Sequence, residues 1–269
     1  MITLSTLFLF FIAGLLFGSF GGMCAYRIPR ELPLGATKKR RSFCVRCKKK
    51  VAWYDNIPLL SYLILGGKCR NCHKKISIQY PLIEFLVGCS FVFVAKIYNW
   101  DPEMNFQNQL RFIVDLYFFW SLIVLTFIDI EFRIIPDRFS LGNWALALLL
   151  VFFMYFKFDS SLGEHLWGGA FGFGIFFLIG YSYEKIKKVE GLGFGDVKMM
   201  GWLGTWLGFT GMPLLILSAS LFGLSAGLFV ILKEKGNLKT AIPFGPFLAL
   251  GAVIVWTLQR LRLDFLQMP

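Results

Sequence analysis

Apolar runs of membrane-crossing length recur along this 269-residue chain, and that recurrence limits the fold more than any other feature. A helix needs roughly 20 predominantly apolar residues to cross about 30 Å of hydrocarbon. Runs at 3–24, 81–98, 112–130, 139–156, 165–183, 197–210, 213–232 and 241–259 fit this pattern, the sixth being short and interrupted by glycine. The first has no basic stretch ahead of it and no small-residue cleavage pattern behind it, so it reads as a retained helix rather than a signal peptide. Composition agrees: 57% of residues are hydrophobic and 16% charged, which excludes disorder, collagen-like repeats and a small disulfide scaffold. The expected fold is an all-α polytopic membrane protein of about eight transmembrane helices.

Charge then orients the helices. The chain has 28 Lys and Arg against 16 Asp and Glu, a formal +12. Between Arg27 and Tyr80 there are 14 basic and 2 acidic residues (Glu31 and Asp55), so this insert accounts for the whole excess. Short cytoplasmic loops are enriched in Lys and Arg. With the insert cytoplasmic and eight alternating helices, Arg133, Arg138, Lys185, Lys187, Lys188, Lys198, Lys233, Lys235 and Lys239 join the inside set, giving 23. Lys96, Arg111, Lys157, Arg260 and Arg262 fall outside, giving 5, and the last two fit least well. The domain expectation is a first transmembrane helix at 1–26, a cytoplasmic insert at 27–80 and a membrane core at 81–269.

The insert holds Cys44-Val45-Arg46-Cys47 and Cys69-Arg70-Asn71-Cys72. Two such pairs can close a tetrahedron around zinc, with Cys44, Cys47, Cys69 and Cys72 as ligands of a structural site. Nearby Lys and Arg are expected to lower the thiol pKa values and offset the net charge of about −2 on a four-thiolate zinc. Disulfides and a redox pair are the competing readings, and a reducing cytoplasm argues against the first. His73 reads as a solvated neighbour and His165 as structural. Cys24 and Cys89 lie in apolar helices, where cysteine usually acts as a small buried hydrophobe. Basic residues around Trp53 and Tyr54 also suit nucleic acid. A basic loop beside membrane helices is better explained by topology and by anionic lipid headgroups, so no nucleic-acid partner is expected.

Carboxylates inside apolar helices are costly and therefore functional candidates. Glu84, Asp115, Asp129 and Asp196 qualify. Glu84 and Asp115 have a simpler reading, pairing with basic groups or hydroxyls within the bundle. Asp129 and Asp196 both fall at the cytoplasmic boundary, one closing the third helix and the other opening the sixth. Pro136, seven residues after Asp129, suits the start of the next helix. Asp196 follows Gly191-Leu192-Gly193-Phe194-Gly195, where glycine permits close backbone approach but lacks the full phosphate-loop spacing. Two facing carboxylates share a proton, and such a pair activates water for attack on a peptide carbonyl.

These residues carry a family resemblance. Phe17-Gly18-Ser19-Phe20, Tyr26-Arg27-Ile28-Pro29, the two cysteine pairs around Trp53-Tyr54-Asp55-Asn56-Ile57-Pro58, and Gly66-Gly67-Lys68-Cys69-Arg70 are the first part of it. Ile76-Ser77, Tyr80-Pro81, Glu84, Asp129 with Pro136-Asp137, Gly193-Phe194-Gly195-Asp196-Val197-Lys198 and Pro243-Phe244-Gly245-Pro246-Phe247 complete it. The chain resembles the bacterial type IV prepilin peptidases, integral-membrane aspartic proteases of the glycine-x-glycine-aspartate type. It departs from their pattern at Gly21-Gly22, Val45 and Gln79.

The resemblance implies that Asp129 and Asp196 are the catalytic pair. It implies cleavage of prepilins or pseudopilins after the leader's terminal glycine at the cytoplasmic face of the bacterial inner membrane. It further implies methylation of the new N-terminal amine with S-adenosylmethionine, an activity tied to the long insert. The resemblance also implies a short, basic leader, which a +12 insert would repel. The insert is therefore expected to meet anionic lipid or the cofactor, with Glu131 and Asp137 meeting the leader. The competing classes are a peptidase without methyltransferase activity, an ion-coupled transporter using Asp115, Asp129 and Asp196, and a zinc-bearing membrane scaffold.

Overall fold

The computed structural model describes residues 2–34, 42–159, 161–189, 191–234 and 242–266. Lys38, Lys39, Arg40 and Arg41 of the insert, and Lys235 and Lys239 of the orientation count, lie outside the described residues. Among the described residues the regular structure is helical, apart from two isolated β-bridges. The helices are α1 (Leu4–Arg27), α2 (Leu60–Ile64), α3 (Gln79–Ile97), α4 (Phe106–Phe132), α5 (Asp137–Phe158), α6 (Leu162–Lys187), α7 (Phe194–Leu207), α8 (Met212–Glu234) and α9 (Gly245–Leu266). α1, α3, α4, α5, α6 and α8 are long and apolar enough to cross a membrane. All eight expected apolar runs fall on helices, and the added element is the short α2.

Local chemistry sets the helix ends. Thr3 caps α1, its hydroxyl accepting from the Thr6 N–H at 3.3 Å. α4 stops at Arg133, whose backbone turns left-handed while its N–H donates to the Asp129 carbonyl at 2.8 Å. Pro136, in an extended conformation, is the N-cap of α5, where its missing N–H costs nothing. α9 starts at Gly245 rather than at 241, with Pro246 in its first turn, a position proline favours.

Helix surfaces are apolar outside as well as inside, unlike those of a water-soluble protein. On α3, Ile83, Val87, Phe91 and Val94 are buried while Leu82, Phe85 and Leu86 are exposed, so both faces are apolar. α8 exposes Leu217, Leu221, Leu224 and Phe229 along its length. Apolar surface this extensive is rare on soluble monomers and is the surface that lipid covers. Cys89 belongs to the exposed face of α3. This corrects the expectation of a buried cysteine, because lipid-facing and interior positions share the same apolar character. Cys24 is buried as expected.

The chain forms two compact units, Met1–Phe127 and Ile128–Pro269. In the first, α1 and α3 pack antiparallel. A Cβ placed on Gly14 would lie 2.7 Å from the Gly88 Cα, and one on Gly18 would lie 2.5 Å from the Glu84 Cα. α4 joins them through the Trp120 indole N–H, which donates to the Phe17 carbonyl at 2.9 Å. In the second unit α6 and α7 are also antiparallel, with Gly168 on Gly204 and Gly172 on Met200. Lipid offers no hydrophobic drive for helices to associate, so small residues that allow close backbone contact carry the packing.

α7 has 14 residues, about 21 Å of helix, which is less than the hydrocarbon thickness. It need not span alone, because it is enclosed by α5, α6 and α9. From Val197 to Thr205 every residue except Lys198 is buried. The Trp144 indole donates to the Thr205 hydroxyl at 2.9 Å, and Gln259 donates to the Leu207 carbonyl at 2.7 Å.

Gly14→Ala should overpack the α1–α3 contact and lower stability by about 1–3 kcal/mol, since it meets backbone that cannot move aside. Gly142→Ala, where nothing lies within 4 Å, should be neutral or slightly stabilising. Thermal unfolding of the two variants in the same detergent distinguishes these outcomes.

Candidate active site and cysteine cluster

Asp129 is buried in the last turn of α4. Its Oδ2 accepts the Gly245 backbone N–H at 2.9 Å, so this carboxylate caps the first turn of α9. Gly245 makes the approach possible, since a Cβ there would come within 2.8 Å of the same oxygen. Asp196 lies in the first turn of α7. Its Oδ1 is buried and, among the described residues, has no hydrogen-bond partner.

Ile135 lies beside the glycines next to both carboxylates. Its Cβ lies 2.9 Å from where a Cβ on Gly195 would be, and its Cδ1 3.4 Å from where one on Gly245 would be. Asp129 with its Gly245 donor and Asp196 with its neighbour Gly195 therefore border the same buried isoleucine, and the two carboxylates are within electrostatic reach of each other. The sequence singled out both aspartates. Gly245 stands out there only within Pro243-Phe244-Gly245-Pro246-Phe247, and Ile135 carries no signal of its own. A glycine between Pro243 and Pro246 at a helix start was the available signal.

Asp137 and Lys198 sit beside the pair. The Lys198 ammonium donates to Asp137 Oδ1 at 2.6 Å and lies 4.7 Å from the Phe194 ring, joining the first turns of α5 and α7. The Asp137 side chain stays 63% exposed, so the contact neutralises it without enclosing it. Glu131 is exposed at the end of α4.

The other intramembrane acids have the partners expected of structural groups. The Tyr98 hydroxyl donates to Asp115 Oδ2 at 2.6 Å. Glu84 accepts the Leu59 N–H at 2.8 Å and a bond from the Ser19 side chain. His165 Nδ1 lies 2.9 Å from the Thr205 carbonyl, a structural link between α6 and α7.

Cys44, Cys47, Cys69 and Cys72 converge, with their Sγ atoms all within 4.8 Å of one another. The Cys44 and Cys72 sulfurs are 3.9 Å apart. A tetrahedron with metal–sulfur bonds of about 2.3 Å has an edge of about 3.8 Å, so this donor set can hold a metal ion. His73 is exposed and takes no part in the cluster.

The two cysteine pairs are copies offset by 25 residues. Cys44 N–H donates to the Lys49 carbonyl and Cys69 N–H to the Lys74 carbonyl, both at 2.9 Å. Lys48 and His73 are both left-handed, and the bridges Phe43–Lys50 and Lys68–Lys75 close each turn. The repeat is visible in Cys44–Val51 against Cys69–Ile76, each a Cys-x-x-Cys followed by a basic or histidine residue, two lysines and a β-branched residue.

Burial raises the Cys44 thiol, but the N–H groups of Cys47 and Arg46 and the neighbouring thiols outweigh it and bring the pKa to about 7. The Lys74 N–H lowers Cys72, yet burial and the three other thiols push it up to about 11. The lowering at Cys44 thus comes chiefly from backbone donors, with the neighbouring thiols adding to it, rather than from the Lys and Arg side chains first expected. Four thiols this close do not all ionise without a cation among them.

Fold and sites together define a multi-pass helical membrane protein with a four-cysteine module in its first unit and a carboxylate pair in its second. The model of the bacterial peptidase A24 N-terminal domain matches residues 12–98, and that of the type IV leader peptidase family matches residues 116–228. The chain belongs to the type IV leader peptidase family. It is 31% identical to the prepilin leader peptidase/N-methyltransferase of Pseudomonas putida over 95% of this chain and 90% of that protein. It is 34% identical to the protein of the same name from Neisseria gonorrhoeae, over 91% of this chain and 88% of that one. The corresponding figures for Pseudomonas aeruginosa are 30%, 90% and 87%. No solved structure matches the chain.

Purified chain should carry about one metal ion, and Cys44→Ser or Cys69→Ser should lower that to well below half. Elemental analysis against protein concentration measures it, and full retention of metal by both variants would reject the cluster as the binding site.

Proposed function

We propose that this chain cleaves the leader from type IV prepilins or pseudopilins and then methylates the exposed N-terminal amine, with S-adenosylmethionine as methyl-donating co-substrate. Family membership and the relatives' names support the two activities. The observation that supports the peptidase reading is the placing of Asp129, with its Gly245 donor, and Asp196, with its neighbour Gly195, beside Ile135, the first accepting a backbone N–H and the second keeping a buried oxygen with no partner among the described residues.

That asymmetry supports a division of roles. A hydrogen bond donated to a carboxylate favours its ionised form. Asp129, which accepts the Gly245 N–H, is the base that takes a proton from water as it attacks the scissile carbonyl. Asp196 holds the shared proton, polarises that carbonyl through a hydrogen bond and later passes the proton to the departing amine. Burial of Asp129 and of Asp196 Oδ1 keeps bulk water from competing for these bonds.

In this reading the chain comprises a first transmembrane helix (1–26), a zinc-binding insert (27–80) and a peptidase core (81–269) in the bacterial cytoplasmic membrane, with the active site at the cytoplasmic face. The ion held by the four cysteines is a structural Zn2+, which stabilises the insert. The insert's positive charge meets anionic headgroups. The basic leader meets Glu131 and Asp137, the latter already partnered by Lys198.

Asp129→Asn and Asp196→Asn should each lower cleavage by roughly 10²–10⁴-fold or more while the protein remains in the membrane. Mass spectrometry of a coexpressed prepilin's N-terminus measures cleavage and methylation together. Normal processing by either variant would reject the pair.

A further inference from the structure

The insert carries an apolar face that the chain itself leaves uncovered. In α2, Leu60, Leu63 and Ile64 lie at i, i+3 and i+4, and they are 50%, 74% and 70% exposed. The opposite side is Ser61, 7% exposed. Its hydroxyl donates to the Tyr54 carbonyl at 2.8 Å and accepts the Ile57 N–H at 2.9 Å. α2 is thereby fixed on the short helical turn Trp53–Asn56, with a polar inner side and an apolar outer side.

α2 is also tied to α3 near the start of that apolar helix. Leu59 turns the chain sharply with φ 58° and ψ −51°, and the Leu60 N–H closes that turn on the Pro58 carbonyl at 2.6 Å. The Leu59 N–H then donates to Glu84 of α3 at 2.8 Å. Glu84 lies five residues inside α3, about 7.5 Å from its start. Interfacial helices bury their apolar face about 5–10 Å below the headgroup boundary.

We propose that α2 is an interfacial anchor whose Leu60, Leu63 and Ile64 face enters the acyl region of the cytoplasmic leaflet. Lipid is the occupant because the adjoining helix already exposes Leu82, Phe85 and Leu86 as lipid-facing residues. The surrounding insert carries the chain's full +12, the complement of an anionic leaflet. Trp53, 81% exposed on the turn that holds α2, is the residue type that settles at the boundary. The inference rests on the proposed placement of the insert at the cytoplasmic face.

The test places a photoactivatable benzophenone amino acid at position 63, and at position 49 as a control, in full-length chain reconstituted into phosphatidylcholine–phosphatidylglycerol vesicles. Irradiation should give acyl-chain adducts at position 63 and few at position 49. Adducts at position 63 confined to the chain itself, a second copy or an added prepilin would overturn the proposal, as would the absence of any acyl adduct. With the probe at position 60, Leu63→Gln with Ile64→Gln should lower acyl adducts roughly tenfold. An unchanged yield in a variant that retains its bound metal would also overturn it. A membrane-impermeant reagent against an azido residue at position 49 measures sidedness separately. A wrong orientation would leave the acyl adducts in place, whereas failed insertion would leave the sidedness unchanged.

Discussion

Close backbone contact between α6 and α7 is the interaction on which the second unit depends. Gly168 against Gly204 and Gly172 against Met200 bring the two helices nearer than any side chain would permit. Van der Waals packing and interhelical hydrogen bonds must hold helices together where surrounding lipid is as apolar as their side chains. The approach turns α7 from a spanning helix into a core helix, enclosed by α5, α6 and α9. Asp196 sits at the N-terminal end of that enclosed helix. Its carboxylate is consequently held within electrostatic reach of Asp129, next to Gly195, which borders Ile135.

Much of this was legible in the sequence because hydrocarbon imposes a blunt requirement. Runs of apolar residues, their boundaries and the basic insert gave the helices, and a carboxylate at a helix boundary was conspicuous at both Asp129 and Asp196. The same bluntness hid the rest. Lipid and protein interior accept the same side chains, so nothing in the composition of α7 announced that it is enclosed, and nothing around Cys89 announced that it is exposed. The glycines were a partial signal, since Gly201 and Gly204 on α7 are small residues where close packing requires them.

The cysteine module follows a different logic. Its ligand spacing was readable because four thiolates around one ion leave little freedom, whereas the electrostatics depended on folded backbone. The Cys47 and Arg46 N–H groups reach the Cys44 sulfur only once the turn ending at left-handed Lys48 has formed. The turn through His73 repeats it. Backbone donors are fixed in place and close to the sulfur, while the lysine and arginine side chains at the surface are solvated and screened. Counting basic residues therefore gave the right direction at Cys44 for a different physical reason.

Glu84 shows why an acid in an apolar helix is not always chemistry. Its carboxylate sits where α1 comes closest to α3, with Gly18 facing its own Cα, and it receives a donor from each direction: Ser19 of α1 and the Leu59 N–H of the insert. An unpaired carboxylate at this depth would cost several kcal/mol. With two donors, that same cost favours the arrangement that supplies them. The position of the Leu59 turn, and so the depth of α2, is linked to the register of α1 on α3. Asp129 and Asp196 differ in this respect: one accepts a single backbone N–H, and the other keeps a buried oxygen with no partner among the described residues. Incomplete satisfaction in a buried site is what separates the candidate catalytic acids from the structural one, a distinction that sequence position alone does not make.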